Sequence, residues 1–166
     1  MEIIRRKTDY GIRALAHMAL GDSERQVYGA RDIAEAREVP EVYMQKVLHS
    51  LAEAGIVQSH RGVFGGFSLE KEPSEITLFS LMEALQGPVA INKCVLGQDL
   101  CPRENKCIVR NRWEGVQADL VEFLKGVTLE DLLADFASAD SATRSAEATV
   151  SPRIRESRAG ASAQVQ

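Results

Sequence analysis

The strongest structural signal lies in residues 39–69, VPEVYMQKVLHSLAEAGIVQSHRGVFGGFSL. Pro40 suits the first turn of a helix, because a backbone N–H is not needed there. Three apolar residues follow at helical spacing and are expected to point inward: Val47, Leu48 and Leu51. Gly55 stands where a left-handed cap is needed, so we predict a helix from residue 40 to about residue 54.

A β-hairpin is predicted directly after this helix. The runs Ile56–Ser59 and Phe67–Leu69 can both form strands, and a glycine-bearing connection joins them. Arg61 stands just before Gly62 in that connection, and further glycines keep it narrow. We therefore expect the hairpin to present an arginine at its tip.

Two helices are predicted before residue 39. The first covers residues 8–20 and stops at Gly21, and its apolar residues recur at helical spacing: Ile12, Leu15, Ala16 and Ala19. The second is short and covers residues 30–37. Three helices followed by a hairpin is the chain order of a winged helix-turn-helix, and an unrelated small α+β domain is the alternative.

Three more helices are predicted after the hairpin. The fourth covers residues 77–86, capped by Thr77 and ended by Gly87-Pro88, and an irregular cysteine segment follows from residue 89 to about 106. A long amphipathic helix then ends at Lys125, and it carries a broad apolar stripe: Ile108, Trp113, Val116, Leu120, Phe123 and Leu124. Thr128 with Asp131 resembles a capping box, so we predict a last helix over residues 129–136.

Composition fits a globular chain without a membrane span. Of the 166 residues, 45% are apolar, yet no run approaches the roughly eighteen that a span needs. The charged N-terminus is followed by polar residues rather than the apolar stretch of a secretory signal, so we expect a cytoplasmic protein. The net charge is −4, and residues 1–67 hold nine basic and nine acidic side chains, so composition alone does not indicate DNA binding.

The helix over residues 40–54 carries side chains that a recognition helix uses. In a helix-turn-helix the start of this helix meets base edges in the major groove. Gln45 can pair with adenine, Lys46 can contact guanine or phosphate, and Val42 can touch a thymine methyl, with His49 one turn on. The alternative is a solvated helix face.

Arginines elsewhere are candidates for contacts with the duplex. Arg61, beside Gly62 at the hairpin tip, fits a narrow minor groove, where negative potential is focused. Four basic residues flank the first helix and are candidate phosphate contacts: Arg5, Arg6, Lys7 and Arg13. Ordinary exposed side chains are the alternative in each case.

The apolar stripe of the long helix predicts a homodimer. Little chain remains to cover it, and pairing with the same helix of a second copy buries it with the two-fold symmetry that palindromic DNA sites match. The alternative is that the stripe packs on the first helix of its own chain.

The three cysteines have the spacing Cys94-x6-Cys101-x5-Cys107. This spacing is too wide for the paired knuckles of structural zinc, whereas a cluster of iron and sulfide accepts ligands from a longer loop. Residues 93–112 hold five basic and two acidic side chains, and this positive setting offsets the charge of a thiolate-bound cluster. A zinc site, a thiol redox switch and three incidental cysteines are the alternatives.

A cluster with three cysteines needs one more ligand. The three histidines all lie in the N-terminal half, so they are poor candidates. Asp9 is our candidate, reaching the cluster of the partner subunit from the start of the first helix. Its competing role is to cap that helix.

Several segments resemble the IscR/NsrR/RirA group of bacterial winged-helix regulators. They span residues 1–136 in order: KTDYGIRAL at 7–15, VYMQKVL at 42–48, Leu51 through Gly55-Ile56-Val57, Arg61-Gly62, Gly65-Gly66-Phe67, the three cysteines, and VTLEDLL at 127–133. The resemblance implies a homodimeric and usually repressing regulator. It also implies an iron–sulfur cluster on Cys94, Cys101 and Cys107, a minor-groove contact from Arg61, and base or backbone contacts from Gln45 and Lys46.

Two departures from the IscR-like pattern bear on the cluster. The first gap between cysteines is one residue longer than in IscR, although loop length varies in this family. IscR-like members have a histidine ligand three residues after the third cysteine, and Arg110 stands there in this chain. Asp9 instead matches the aspartate that NsrR-like members supply from the partner subunit. We therefore favour [4Fe-4S] over [2Fe-2S], with one cluster per subunit.

The predicted fold is mainly α with a small β-hairpin: a winged helix-turn-helix domain plus a long C-terminal dimerisation helix. We assign residues 1–87 to the DNA-binding domain, 88–107 to a cluster-binding loop and 108–136 to the dimerisation helix with the final short helix. Residues 137–166 have few large apolar side chains, and we expect a disordered tail.

The predicted function is a transcriptional regulator, most simply a repressor, that binds palindromic double-stranded DNA and senses nitric oxide, iron or redox state. A thiol-redox or zinc-dependent regulator of the same fold is one alternative, and a cluster-carrying scaffold without DNA binding is another. An enzyme is not expected, because no Cys-x2-Cys pair, no histidine beside a cysteine and no phosphate-binding loop occurs.

Overall fold

The computed structural model describes residues 3–21, 27–92, 95 and 107–137. Its elements follow the predicted order: α1 (Arg6–Leu20), α2 (Ala30–Ala36), α3 (Glu41–Glu53), β1 (Val57–His60), β2 (Gly66–Leu69), a 3-10 turn (Pro73–Glu75), α4 (Leu78–Gln86), α5 (Arg110–Gly126) and α6 (129–137). The mainly helical fold with one small antiparallel hairpin is confirmed. None of the described helices is long and apolar enough to cross a bilayer.

The buried face of α1 differs from the predicted stripe. Thr8, Gly11, Leu15 and Met18 are buried, whereas three members of the predicted set are only partly buried: Ile12, Ala16 and Ala19. Gly11 allows the close approach of α4, because a Cβ there would overlap the side chain of Leu85. The helix was predicted correctly, but its orientation on the core was not.

The turn between α2 and α3 is tight and strained at one residue. Glu38 has φ 53°, a left-handed conformation that favours glycine. Val39 is buried, and its N–H donates to the carbonyl of Ala34 over 3.0 Å. Pro40 is the N-cap of α3 rather than a residue of its first turn, and its carbonyl accepts from the N–H groups of Tyr43 and Met44.

The hairpin is fastened to the helices by its second strand. β1 and β2 pair with Val57 opposite Leu69 and His60 opposite Gly66. Phe67 also forms two 2.9 Å backbone hydrogen bonds with Tyr28, which precedes α2. This bridge makes the hairpin an extension of the helix-turn-helix. The strands begin and end within one residue of the prediction.

The caps of the later helices agree with the sequence analysis. The Thr77 hydroxyl accepts from the N–H of Ser80 over 3.1 Å, and Gly87 ends α4 with φ 82°. Thr128 and Asp131 cap each other, and hydrogen bonds from the Thr128 hydroxyl and N–H hold the pKa of Asp131 below its usual value. Leu129 begins α6 and is fully buried.

The predicted stripe of α5 and the predicted start of the tail both need correction. Ile108 does not belong to the stripe of α5, because it precedes the helix and is 97% exposed. Residue 137, the first residue of the predicted tail, is helical, and residues 138–166 lie outside the described residues. The chain forms two compact units, residues 1–131 and 132–166, and residues 132–137 belong to the second.

Replacing Glu38 with glycine should stabilise the protein. A left-handed residue with a Cβ costs about 1–2 kcal/mol, and glycine removes this cost while giving back roughly 0.5–1 kcal/mol as entropy of the unfolded chain. We expect urea unfolding of Glu38→Gly to show a gain of up to about 1 kcal/mol.

Glu83→Gly is the matched control, because Glu83 is an exposed residue inside α4. There the same change should lower the free energy of unfolding by about 1 kcal/mol. A loss of stability in Glu38→Gly would show that the turn does not strain the native glutamate.

Candidate DNA interface and metal site

The exposed face of α3 carries every residue of this helix that was predicted to read DNA. Val42 is 64% exposed, and Gln45, Lys46 and His49 are exposed as well. The opposite face is fully buried, as predicted for Val47, Leu48 and Leu51. The packing of α3 therefore leaves these side chains available to a partner.

Two of these side chains have defined neighbours. The Nε2 of Gln45 donates to a carboxylate oxygen of Glu41 over 3.0 Å, one turn earlier on the same helix. The His49 ring packs edge-on against Phe67, with 5.6 Å between the ring centroids. His49 thus links α3 to the hairpin besides facing solvent.

Sequence reasoning did not assign Tyr43. Its ring is exposed between Val42 and Lys46, and the Lys46 ammonium lies 5.9 Å from the ring centroid. A helical projection of α3 would have placed Tyr43 on the same exposed face. It adds an aromatic surface to the candidate interface.

The start of α1 lies beside α3. The Lys7 ammonium donates to the Ser50 hydroxyl over 2.8 Å, and this hydroxyl donates to the Lys46 carbonyl over 3.1 Å. A groove of about 710 Å³ separates the two helices, and none of the described residues that line it is acidic. Arg6 lines this groove, so the structure groups this predicted phosphate contact with Lys7, Lys46 and His49.

The connection between the strands is slender. Gly62 has φ 112°, and the N–H of Gly65 donates to the carbonyl of Gly62 over 3.0 Å, which closes a turn. Arg61 is exposed as predicted, but it lies at the base of this turn rather than at the tip, where Val63 and Phe64 stand. The His60 ring forms a 2.8 Å hydrogen bond with the Ser68 hydroxyl across the strands.

Gln86 caps the start of α1 from the end of α4. The residue before α1 is Arg5, whose side chain has only donors and cannot accept from the free N–H groups of a helix start. The Gln86 Oε1 instead accepts from the Arg5 N–H over 3.0 Å and from the Thr8 hydroxyl over 2.8 Å. Its Nε2 donates to the Ile3 carbonyl over 2.8 Å, and an Arg5 guanidinium nitrogen donates to the Gln86 carbonyl over 3.3 Å.

This arrangement has two consequences. Thr8 is 0% exposed, and its hydroxyl is satisfied by Gln86. Arg5 is oriented toward Gln86 rather than toward the groove that Arg6 lines. Sequence reasoning missed Gln86, because its partners lie some 80 residues away and no local pattern marks the pairing.

Asp9 does not cap α1. The helix begins at Arg6, so Asp9 is already its fourth residue, and the capping alternative is wrong. Its carboxylate instead pairs with the Nε of Arg13 over 3.0 Å, and both side chains are about half exposed. An exposed carboxylate remains accessible to a group brought by another molecule.

Only Cys107 of the three cysteines lies in the described part of the chain. It is partly buried, and it stands just before α5, near the positive end of that helix dipole. Cys94 and Cys101 lie outside the described residues. Among the residues that are described, no three His, Cys, Asp or Glu side chains come together as a metal site.

The donor chemistry of the segment nevertheless fits an iron–sulfur cluster, since thiolates are its preferred ligands. Arg110, which stands at the position of the IscR-type histidine, forms a 2.7 Å ion pair with Glu114 inside α5. It cannot replace that histidine, because a guanidinium has no free lone pair for iron.

Gln117 fastens the chain that leads to Cys94. Its Oε1 accepts from the Ile91 N–H over 2.9 Å, and its Nε2 donates to the Val89 carbonyl over 2.8 Å. The Gln117 side chain thereby binds the backbone of residues 89–91 to α5 through one donor and one acceptor. Sequence reasoning missed Gln117 as well, because a glutamine among the polar residues of an amphipathic helix gives no sign of a distant backbone partner.

The apolar stripe of α5 is only partly covered. Leu124 is buried with Met82 and Val89, and Leu120 packs on the same cluster, so the main partner of α5 is α4 rather than α1. Three other members remain exposed by 41–63%: Trp113, Val116 and Phe123. The alternative that the stripe packs on the first helix of the same chain is therefore wrong.

Comparisons with known proteins agree with this arrangement. The sequence model of the Rrf2 family, described as an iron-dependent transcriptional regulator, matches residues 4–135. The HTH-type transcriptional regulator IscR of Aliivibrio salmonicida is 30% identical over 129 residues, which are 78% of this chain and 76% of that protein.

Two solved structures share the fold. IscR of T. potens has a TM-score of 0.63 and 28% identity, and the match covers 82% of this chain and 89% of that one. CymR, the global cysteine regulator of B. subtilis, has the same TM-score and identity over 81% and 98% of the two chains. These proteins are winged-helix transcriptional regulators rather than enzymes, and the chain belongs to the Rrf2 family of DNA-binding transcriptional regulators.

Proposed function

We propose that this chain is a homodimeric repressor whose affinity for a palindromic operator is controlled by an iron–sulfur cluster. One observation carries the proposal. Residues 86–91, which lead to Cys94, are held at one end by Gln86 against the start of α1 and at the other end by Gln117 against α5. Residues 86–91 thus lie between the start of α1, which carries Arg6 and Lys7, and α5.

The ligands that we propose are Cys94, Cys101 and Cys107, with the partner subunit's Asp9 as the fourth. [4Fe-4S] is favoured over [2Fe-2S], with one cluster per subunit. The cluster supplies iron that reacts with nitric oxide or oxygen and is lost when iron is scarce. Asp9 is half exposed and its carboxylate pairs with Arg13 within the described part of the chain, so a modest rotation frees an oxygen.

The polypeptide links the cysteine segment to DNA binding through its own hydrogen bonds. Gln117 keeps residues 89–91 on α5, and Gln86 keeps Arg5 and Thr8 in the conformation that begins α1. Lys7 then joins α1 to Ser50 of α3. A displacement of residues 86–91 therefore changes the position of the basic side chains at the interface, which shifts the population of DNA-competent dimers.

The roles on DNA follow from side-chain chemistry. Gln45 pairs with adenine, Val42 touches a thymine methyl, and Lys46 and His49 contact guanine or the backbone. Arg61, presented by Gly62, enters the minor groove, and Arg6 stands near phosphates. Arg5 contacts a phosphate only after its side chain turns away from the Gln86 carbonyl. The exposed part of the α5 stripe pairs with its copy and sets the two-fold symmetry of the operator.

A regulator without iron is the second candidate, and one observation favours it. CymR, a cysteine regulator by its description, shares the fold over nearly its whole length. A zinc-bound or thiol-switched form of the same chain would use the same cysteines without a cluster. The first experiment below separates the two.

Protein purified without air should be a brown dimer with about one cluster per subunit. Cys101→Ala should be colourless, because two cysteines do not retain the cluster, whereas Val95→Ala in the same segment should keep its colour. The measurements are visible absorption, iron and sulfide content, and native mass spectrometry. Colourless and iron-free wild-type protein that binds its operator normally would contradict the proposal, and bound zinc would favour the second candidate.

Removing the arginine of the hairpin should weaken operator binding. Arg61→Ala is expected to cost about 1–3 kcal/mol, as for a lost specific contact, when measured by fluorescence anisotropy at fixed salt. Arg112→Ala removes the same charge from α5 and should leave the affinity nearly unchanged. Equal affinities of the wild type and Arg61→Ala would remove Arg61 from the interface.

Gln86→Leu should uncouple the cysteine segment from DNA. The change leaves the Thr8 hydroxyl buried without its acceptor, which lowers the free energy of unfolding by about 1–3 kcal/mol. The ratio of operator affinities between cluster-loaded and cluster-free protein should fall toward one, while the cluster content stays unchanged.

A double-mutant cycle with Thr8→Val isolates the hydrogen bond. Because Thr8→Val removes the hydroxyl that Gln86 satisfies, the double variant should be more stable than the sum of the two single effects. A wild-type affinity ratio in Gln86→Leu would show that the coupling follows another route.

A further inference from the structure

The apex of the hairpin carries two apolar side chains that contact nothing in the described chain. The Gly62–Gly65 turn places Val63 and Phe64 at its centre. Val63 is 97% exposed and Phe64 is 96% exposed, the highest values among the large apolar residues of the hairpin. Isolated apolar side chains on a surface are common, but two neighbours at the tip of a protruding loop form a distinct feature.

The backbone around this tip is kept thin. A Cβ on Gly65 would overlap the His60 carbonyl, and a Cβ on Gly66 would overlap the Tyr28 carbonyl. Gly62 has the positive φ that starts the turn. The loop can therefore enter a narrow cleft, and only three side chains project from it: Arg61, Val63 and Phe64.

The charge around the tip points to a polyanionic partner. Residues 54–69 contain no carboxylate, and they include Arg61 at the base of the turn. Two apolar side chains are far too small an area for a stable protein interface, which buries on the order of 800 Å² per partner. A cleft with anionic walls, in which apolar base faces become accessible where a base step opens, fits this combination, and the minor groove of duplex DNA is such a cleft.

We propose that Val63 and Phe64 form an apolar wedge that enters the operator minor groove beside Arg61, where Phe64 partly unstacks one base step and bends the duplex. Inserted apolar side chains of this kind kink DNA in minor-groove proteins. The cost of unstacking is smallest at flexible pyrimidine–purine steps. The tip therefore selects operators with such a step opposite the hairpin, without any hydrogen bond to a base.

This inference rests on the proposed DNA-binding role, and it concerns a contact that α3 and the cysteines do not make. It predicts two separable properties of the complex: a bend in the DNA, and a preference at a position that lies outside the major-groove contacts. Both are properties of the complex once it has formed, so they are measured separately from the effect of the cluster on affinity.

The test uses the full-length chain and an operator selected by it from a random DNA library. Phe64→Ala should lower operator affinity by roughly ten-fold or more, within the range measured for lost aromatic–base stacking. It should also remove the bend seen by energy transfer between the DNA ends and the 2-aminopurine signal at the step facing the hairpin. The thermal unfolding midpoint should not change, because Phe64 is almost fully exposed.

Two variants serve as controls. Phe64→Leu keeps an apolar wedge and should retain most of the bend. Phe136→Ala removes another exposed phenylalanine, on α6, and should leave affinity and bending unchanged. The preference for a pyrimidine–purine step should disappear in Phe64→Ala and persist in Phe64→Leu.

The outcomes separate this inference from the proposed function. Wild-type affinity and an unaltered bend in Phe64→Ala would overturn the wedge but not the proposed regulatory function. If the wild-type chain selected no DNA sequence from the random library, both proposals would be overturned. Phe64→Trp provides a direct probe, since stacking on a base quenches its fluorescence. A blue shift with anionic lipid vesicles, or with rising protein concentration alone, and no response to the operator would assign the tip to a membrane or a second copy and overturn the proposal.

Discussion

The start of α1 depends on a side chain from another helix. The first N–H groups of any helix need an acceptor, and Arg5, which stands at that position, carries only donors. Gln86 provides one acceptor and one donor, so its amide satisfies the Arg5 N–H at the start of α1, the buried hydroxyl of Thr8 and the carbonyl of Ile3, while the Arg5 carbonyl accepts from the N–H groups of Thr8 and Asp9. The segment with most of the basic side chains of the interface is thus positioned by the last residue of α4.

The same residue begins the chain that leads to the cysteines. Gly87 ends α4 with a positive φ, and the next residues bond to Gln117 of α5, through the Val89 carbonyl and the Ile91 N–H. Hydrogen bonds from two glutamines therefore hold a short segment between α1 and α5. An amide suits this position because it donates and accepts without a charge, so neither contact depends on pH.

Local signals in the sequence were sufficient for the helices, their caps and the hairpin. Gly55, Gly87, Thr77 and the Thr128–Asp131 pair act within a few residues of themselves, and each has the predicted role. The errors concern what a helix faces. The buried face predicted for α1 was wrong because it was assigned from large apolar residues alone. Gly11 and Thr8 do not belong to that class, yet Gly11 is buried against Leu85 of α4 and Thr8 against Gln86. Gln86 and Gln117 were missed because their hydrogen-bond partners are set by tertiary packing, whereas the exposed position of Tyr43 could have been found from a helical projection of α3. The cysteine ligands remain a sequence-based hypothesis, since Cys94 and Cys101 lie outside the described residues.

Phe67 ties the hairpin to the residue before α2 through its backbone bridge with Tyr28 and to α3 through its packing on His49. On the proposed interface, α3 and the hairpin would therefore contact the duplex at a fixed interval. Successive base pairs rotate about the DNA axis, so inserting one pair between the two contact regions turns them out of phase. The proposed interface therefore makes the spacing between the two contact regions of a half-site as important as its base sequence.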